Sequence, residues 1–487
     1  MKHSLIKCFI LLLFFPVLVP VFAQSSAFPR LDSDPKALAF FERGARGYTW
    51  TDLAEISLWA SGADNSRLDQ IRSHAAAIRG ARDFPAAARE RAEYILRYMH
   101  RNLLKSYSLE QTRVDTVFSN GRYNCVSSGV LYMILCASVN LETSGVMTKD
   151  HAFVMVLADG EIIDVETTNP HGFDPGSRRE FHDEFGKLTG FAYVPARDYR
   201  DRQALKPVEL ISLIFTNRLS ALERANRFAE AVPLAIDRMV LLTGGNAGAG
   251  KDTPFFQDPR MDLLDRLLNY GASLLGAGKE DECLRWASLA IPRYPDARRW
   301  QELIFAAANN RVTKLVRAGR LPAARDFLDA QQAVLDPALY AQLDAALLDA
   351  ELIERVNRIR GAAEGDSVIT AIDQARSNNR MEERRAAELL SVAVEKSAAA
   401  LSARRDWLAA INYVEAAITR YGSSRDLEQT LRIYRNNRAV DFHNSFAAAW
   451  NRRNYDEARR ILNDALAEFP GDRQLLADRE TVNRAGR

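Results

Sequence analysis

Residues 151–168 read HAFVMVLADGEIIDVETT. Two apolar runs rich in β-branched residues flank Asp159-Gly160, and Asp-Gly between alternating runs is a strong local signal for a two-residue hairpin. This stretch places an antiparallel hairpin in a chain that otherwise reads as helix, and it sets a register. If Asp159-Gly160 is the turn, Ala158 faces Glu161, Phe153 faces Glu166 and His151 faces Thr168. A three-residue loop would slip the register by one and reverse the faces.

Helical periodicity lies on both sides. In RERAEYILRYMHRNLL the apolar positions Ala92, Ile95, Leu96, Met99, Leu103 and Leu104 recur at helical spacing. Ahead of the hairpin, Cys125 opens an apolar run in which Val126, Val130, Leu131, Ile134 and Leu135 form a stripe, predicting a helix buried on one side. Beyond about residue 206 strands vanish. Ala290–Pro295, Ala417–Gly422 and Ala465–Pro470 each close a helical pattern with an aromatic residue and then a breaker. This texture resembles tetratricopeptide-type helical repeats, with copies spaced less regularly than the usual ~34 residues; a non-repeating helical domain is the other reading.

The first 24 residues, MKHSLIKCFILLLFFPVLVPVFAQ, carry Lys2 and Lys7 ahead of an apolar run, then Val21-Phe22-Ala23. This reads as a secretory signal peptide over residues 1–23, cleaved before Gln24. A membrane anchor is the competing reading, but the run is short and broken by Pro16 and Pro20. The expectation is an exported protein, periplasmic or extracellular, with no membrane span in the mature chain. A formal net charge of +2 gives no case for nucleic acid. After cleavage Cys125, Cys136 and Cys283 remain, an odd number that leaves a free thiol in an oxidising compartment. On one helix Cys125 and Cys136 would stand roughly 16 Å apart, beyond disulfide reach. No cysteine pair has zinc-site spacing, and His100, His151 and His171 make no ligand set with them, so neither a metal nor an organic cofactor is expected.

Cys125 at a helix start would be served by unpaired backbone N–H groups, whereas Cys136, deeper in the helix, reads as core. A thiol nucleophile needs a base and a group to orient that base. The hairpin supplies His151 on one strand and two acids, Asp164 and Glu166, on the other. In the two-residue register Glu166 is the diagonal neighbour of His151 at roughly 7 Å, and Asp164 lies more than about 12 Å away. Glu166 is therefore the expected orienter and Asp164 the alternative; His171 is a fallback base.

A cysteine opening a helix, then His151-Ala152-Phe153-Val154, a turn at Asp159-Gly160, and Glu166-Thr167-Thr168 resembles the core pattern of the transglutaminase-like, papain-related superfamily, with Glu166 where that pattern carries Asp. The resemblance covers about residues 85–175. With the helical texture beyond residue 206, which this resemblance does not reach, the expected fold is α+β: a papain-like transglutaminase core with a short antiparallel sheet, followed by an all-α helical-repeat domain. The boundaries expected are a 24–84 helical segment, an 85–205 core and 206–487 repeats. The resemblance implies a Cys125–His151–Glu166 enzyme acting on amide bonds, a peptidase or amidase in preference to a cross-linker, since cross-linking needs a site that excludes water. The Cys125 N–H would be one oxyanion donor, with Asn120, Tyr123 and Asn124 as candidates for a second. A protein or peptide substrate, held by the repeats, is the expected partner. The alternative is a non-catalytic scaffold whose repeats bind peptide or envelope-protein partners.

Overall fold

The structure is a computed structural model that describes residues 28–149, 151–177, 202–245 and 258–485. The expected signal peptide, Asp150 and the 178–201 part of the expected core lie outside the described residues. Mostly helical with one small antiparallel sheet, the chain is α+β. It divides into two compact units, residues 1–278 with 285–296, and 279–284 with 297–487.

The first unit begins with α1 (Pro35–Gly44), α2 (Trp50–Ala60), α3 (Leu68–Arg79) and α4 (Ala88–Asn102). All six apolar positions expected on one face around α4, from Ala92 to Leu104, are buried. A two-residue parallel ribbon then joins β1 (Ser106–Tyr107) to β2 (Arg122–Tyr123), with Tyr107 beside Tyr123 and α5 (Val114–Asn120) between the two. The next elements are α6 (Cys125–Ala137), β3 (Glu142–Met147), β4 (Ala152–Ala158), β5 (Glu161–Val165) and β6 (Gln203–Leu205), and the sheet order is β5-β4-β3-β6. The hairpin has the two-residue register, Ala158 opposite Glu161 and Val154 opposite Val165. Asp159 and Gly160 both have positive φ, at 54° and 84°, which the mirror-image turn of a tight hairpin requires. The Asp159 carboxylate accepts the Arg89 N–H at 3.0 Å, so the hairpin tip caps the first turn of α4.

Two expectations are corrected. The apolar stripe of α6 predicted burial on one side, yet every residue from Val126 to Cys136 is buried. Helices α2, α4, α5 and α7 (Pro207–Arg224) cover it together with β3 and β4. Small residues allow this. A methyl group on Gly129 would already stand 3.4 Å from Val154, and one on Gly145 of β3 would come within 2.9 Å of Leu210 on α7. The second correction concerns the expected boundary at 205/206, which falls inside the first unit. Leu210, Ile211, Ile214 and Phe215 of α7 belong to the same core cluster as α6, and α8 (Phe228–Thr243) and α9 (Pro259–Gly276) follow within that unit.

The second unit is helical throughout its described residues, from Ala297–Arg317 to Arg473–Ala485, with successive helices packed on one another. Each of the three breaker motifs does end a helix, at Ala290, Tyr421 and Glu468.

The position of α7 sets a truncation test. The four α7 side chains named above are 0–1% exposed, and burying four such residues is worth about 6–12 kcal/mol, comparable to the whole stability of a domain. A chain ended after Leu205 is expected to be insoluble or molten, whereas one ended after Asp296 melts cooperatively. Circular dichroism melts of the two fragments check this.

Candidate active site

Asn124 builds the start of α6. Its backbone is extended (φ −130°), and its Oδ1 accepts the N–H groups of Val126 and Ser127, both at 3.0 Å. Ser127 Oγ accepts the Asn124 N–H in return at 2.9 Å, closing a capping box. The Ser128 N–H already bonds to the Asn124 carbonyl. Of the first-turn amides only that of Cys125 has no hydrogen-bond partner among the described residues, and Cys125 is the partly exposed thiol. A helix start with one free N–H pointing past a sulfur is suited to an oxyanion.

His151 sits just before β4. Its carbonyl accepts both the N–H and the Oγ–H of Thr148, at 2.9 and 3.2 Å, which pins the backbone. Its ring stacks on Phe153, and Nε2 lies 2.5 Å from Glu166 Oε2. With Nε2 engaged, the nitrogen left for the Cys125 sulfur is Nδ1, which is sealed from solvent. Burial pushes the imidazole down, but the Glu166 charge, then the Cys125 charge and the hydrogen bonds to both, outweigh it and hold His151 well above its ordinary pKa.

Glu166 is 1% exposed. Its Oε1 accepts the Thr168 N–H at 3.1 Å and the Thr168 Oγ–H at 2.7 Å. The chain after it is held from four sides. Gly172 O accepts the Glu166 N–H at 2.7 Å. Tyr123 Oη donates to the Thr168 carbonyl at 3.1 Å. His100 Nε2 donates to the Thr167 carbonyl, also at 3.1 Å; burial drives its pKa down to about 4, so it stays neutral with that proton in place. Ser128 Oγ meets Thr167 Oγ1 at 2.8 Å, tying this segment to α6 one turn beyond Cys125.

The structure therefore brings Cys125, His151 and Glu166 together and leaves Asp164 apart. Asp164 takes a bidentate contact from Arg202, at 2.6 and 3.1 Å, and Arg202 also lies over the Phe153 ring. The strand ladder ends at Val154–Val165, so the His151–Glu166 contact is made beyond it. His171 is exposed on the turn after Asn169. Cys136 is wholly buried, its thiol pushed up to about 12. The donor groups of Tyr123 and Asn124 are already used, on Thr168 O and Leu109 O, and Asn120 turns its carbonyl oxygen to the Arg122 N–H. One residue was missed in the sequence. Tyr107, placed beside Tyr123 by the parallel ribbon, has a buried hydroxyl with no partner among the described residues. Burial first, then the charges of Cys125 and Glu166, raise its pKa. A two-residue parallel pairing leaves no periodicity from which this could be read.

Cys125 and His151 open into a cleft of about 790 Å³. Its walls are α6, the β3–β4 turn, the loop at Leu109-Glu110 and the α7 face from Leu213 to Arg224. Among the described residues no group of three or more His, Cys, Asp or Glu is placed to hold a metal ion.

The chain matches no protein-family model and no curated protein. Among solved structures it is similar to a crystal structure of menin that reveals the binding site for the Mixed Lineage Leukemia protein. Identity is 14% over 84% of this chain and 100% of that one, with a TM-score of 0.26, a likeness too low to carry any argument.

Two substitutions test the packing of the site. A Cβ on Gly172 would lie 1.9 Å from the Glu166 carbonyl oxygen. Gly172→Ala is expected to cost about 1–3 kcal/mol in urea unfolding and to lower the reactivity of Cys125 at pH 6. Tyr107→Phe removes no hydrogen bond and should leave the unfolding midpoint unchanged or slightly higher.

Proposed function

We propose that the chain is an exported thiol enzyme with a transglutaminase-like, papain-related core, which opens amide bonds through Cys125, His151 and Glu166 and transfers the acyl group to water. The observation that carries this is the Glu166 carboxylate, fixed by Thr168 and bonded to His151 Nε2. That contact leaves Nδ1 toward a sulfur whose own N–H is free.

In the proposed reaction the Cys125 sulfur, paired with the His151 imidazolium, attacks the amide carbon. The carbonyl oxygen becomes an oxyanion and accepts a hydrogen bond from the Cys125 N–H. As the C–N bond breaks, Nδ1 gives its proton to the departing amine, leaving a thioester and a neutral imidazole. Water then attacks, returning its proton to Nδ1, and the C–S bond breaks to release the acid. The Glu166 carboxylate, bonded to Nε2, orients the imidazole and stabilises the imidazolium. Cys125 is partly exposed in the cleft, so water reaches the thioester, which favours hydrolysis over cross-linking. In the same reading the later helices are tetratricopeptide-type repeats offering a surface to a protein or peptide partner.

The sign of the His151 shift sets the pH test. A raised imidazole keeps its proton above pH 6.5, so the ion pair contributes stability that is full below about pH 6.5 and lost as pH rises through the folded pKa. Alkylation of Cys125 should be fast at pH 6, where an ordinary thiol with a pKa of about 8.5 hardly reacts. Glu166→Gln is expected to slow labelling at pH 6 and to recover at pH 9; Asp164→Asn should match wild type. Cys125→Ala should abolish amide cleavage while the fold stays intact, and Cys136→Ala should leave the chemistry alone. If wild-type Cys125 is silent at pH 6, the scaffold reading replaces this one.

A further inference from the structure

The cleft around Cys125 carries an uneven set of charges. Besides the reacting pair it is lined by two cations from different elements, Lys149 on the β3–β4 turn and Arg224 on the last turn of α7. Among the described residues one anion lines it, Glu110 on the loop after β1. All three are exposed.

Among the described residues, charged groups near these walls have partners of their own. Arg113 is bidentate on Asp115. Arg218 donates to the Ala60 carbonyl, and Glu223 is paired with Arg266. Lys149 and Arg224 have no ion-pair partner among the described residues. Leu109, Met147 and Leu213 add apolar side chains to the same cleft. The α7 wall also presents Asn217, whose Nδ2 is committed to Thr112 Oγ1 at 3.0 Å, so that its carbonyl oxygen is left for a donor. Apolar contact, a side-chain acceptor for a peptide N–H and two cations without an ion-pair partner among the described residues, in one cleft with a thiol, are the fittings of a peptide site selective for negative charge.

We propose that the cleft takes an acidic peptide segment, with the amide to be opened at Cys125 and a neighbouring carboxylate held by Lys149 and Arg224. This rests on the reading of Cys125 as the reacting thiol and deepens it by naming the substrate class. Glu110 sets the opposite limit, disfavouring a second carboxylate at its end of the cleft.

The test needs no knowledge of the natural substrate. Iodoacetate and iodoacetamide alkylate a thiol by the same displacement of iodide, but only the first carries a carboxylate. Their rates at Cys125 are compared in the full-length protein at 10 mM ionic strength and pH 9, where any accessible thiol reacts, with the adduct located by peptide mapping. Low ionic strength keeps the cleft charges within about 30 Å of screening length. Lys149→Gln and Arg224→Gln should each lower the iodoacetate-to-iodoacetamide ratio by a factor of about 1.5 to 5, the range for one exposed charge pair. Glu110→Gln should raise it, and 0.5 M salt should merge variants and wild type. The two signs guard against a single misfolded variant. A ratio that is the same in all three variants, or indifferent to salt, overturns the proposal even if Cys125 labels rapidly at pH 6. A Cys125 that is slow at pH 6 overturns the enzyme reading, while the ratio at pH 9 still decides whether the cleft selects anions.

Discussion

A carboxylate that is 1% exposed is costly to bury unless its charge and lone pairs are met. For Glu166 they are met by the His151 ring on one oxygen and by Thr168 on the other. The rest of the site depends on this. Removing either partner would leave a buried charge uncompensated, so the segment Glu166–Asn169 has one favourable arrangement. Thr167, Thr168 and Asn169 are themselves buried, and buried backbone groups need partners. His100 of α4 and Tyr123 of β2 supply them to the Thr167 and Thr168 carbonyls, and Ser128 of α6 meets the Thr167 hydroxyl. The carboxylate is thereby referenced to three elements, and one of these, α6, starts with Cys125.

Rigidity of α6 follows from the same packing. A helix buried on every face cannot shift without opening a core, because interiors are close-packed. The Asn124 cap fixes where the helix begins, and with it the position of the one unpaired N–H. Cys125, His151 and Glu166 thus sit on a helix start, a strand start and a strand exit, and the His151–Glu166 contact lies outside the regular hydrogen-bond ladder. The Tyr107 hydroxyl, buried with no partner among the described residues, stands beside this network, an expense of about 1–3 kcal/mol.

Much of this was legible from local signals. Asp159-Gly160 announced its turn, the stripe around α4 its buried face, and Cys125 its place at a helix start; each rests on neighbours within a few residues. The choice of Glu166 over Asp164 followed from register, since alternation and rise are fixed by backbone geometry. Illegible were features set by distant segments. The helical periodicity of α7 is shared with the helices that follow, so nothing in Pro207–Arg224 marks it as part of the first core. That assignment comes from Gly145 meeting Leu210, a contact 65 residues apart in sequence. Burial of α6 on all sides escaped for the same reason, as did the engagement of Asp164 by Arg202.

The acid's length has a physical consequence. The ladder ends one pair short of Glu166, and Gly172 holds the Glu166 backbone so closely that not even a methyl group fits between them. Gly172 also accepts the Glu166 N–H, which ties the two backbones together. A side chain shorter by one methylene would end about 1.5 Å earlier, and a 2.5 Å contact would lengthen past hydrogen-bond range. The extra methylene of glutamate makes up that distance. The close approach at Gly172 and the glutamate at 166 thus act as one device, each accommodating the other, and the direction of the His151 ring follows from both.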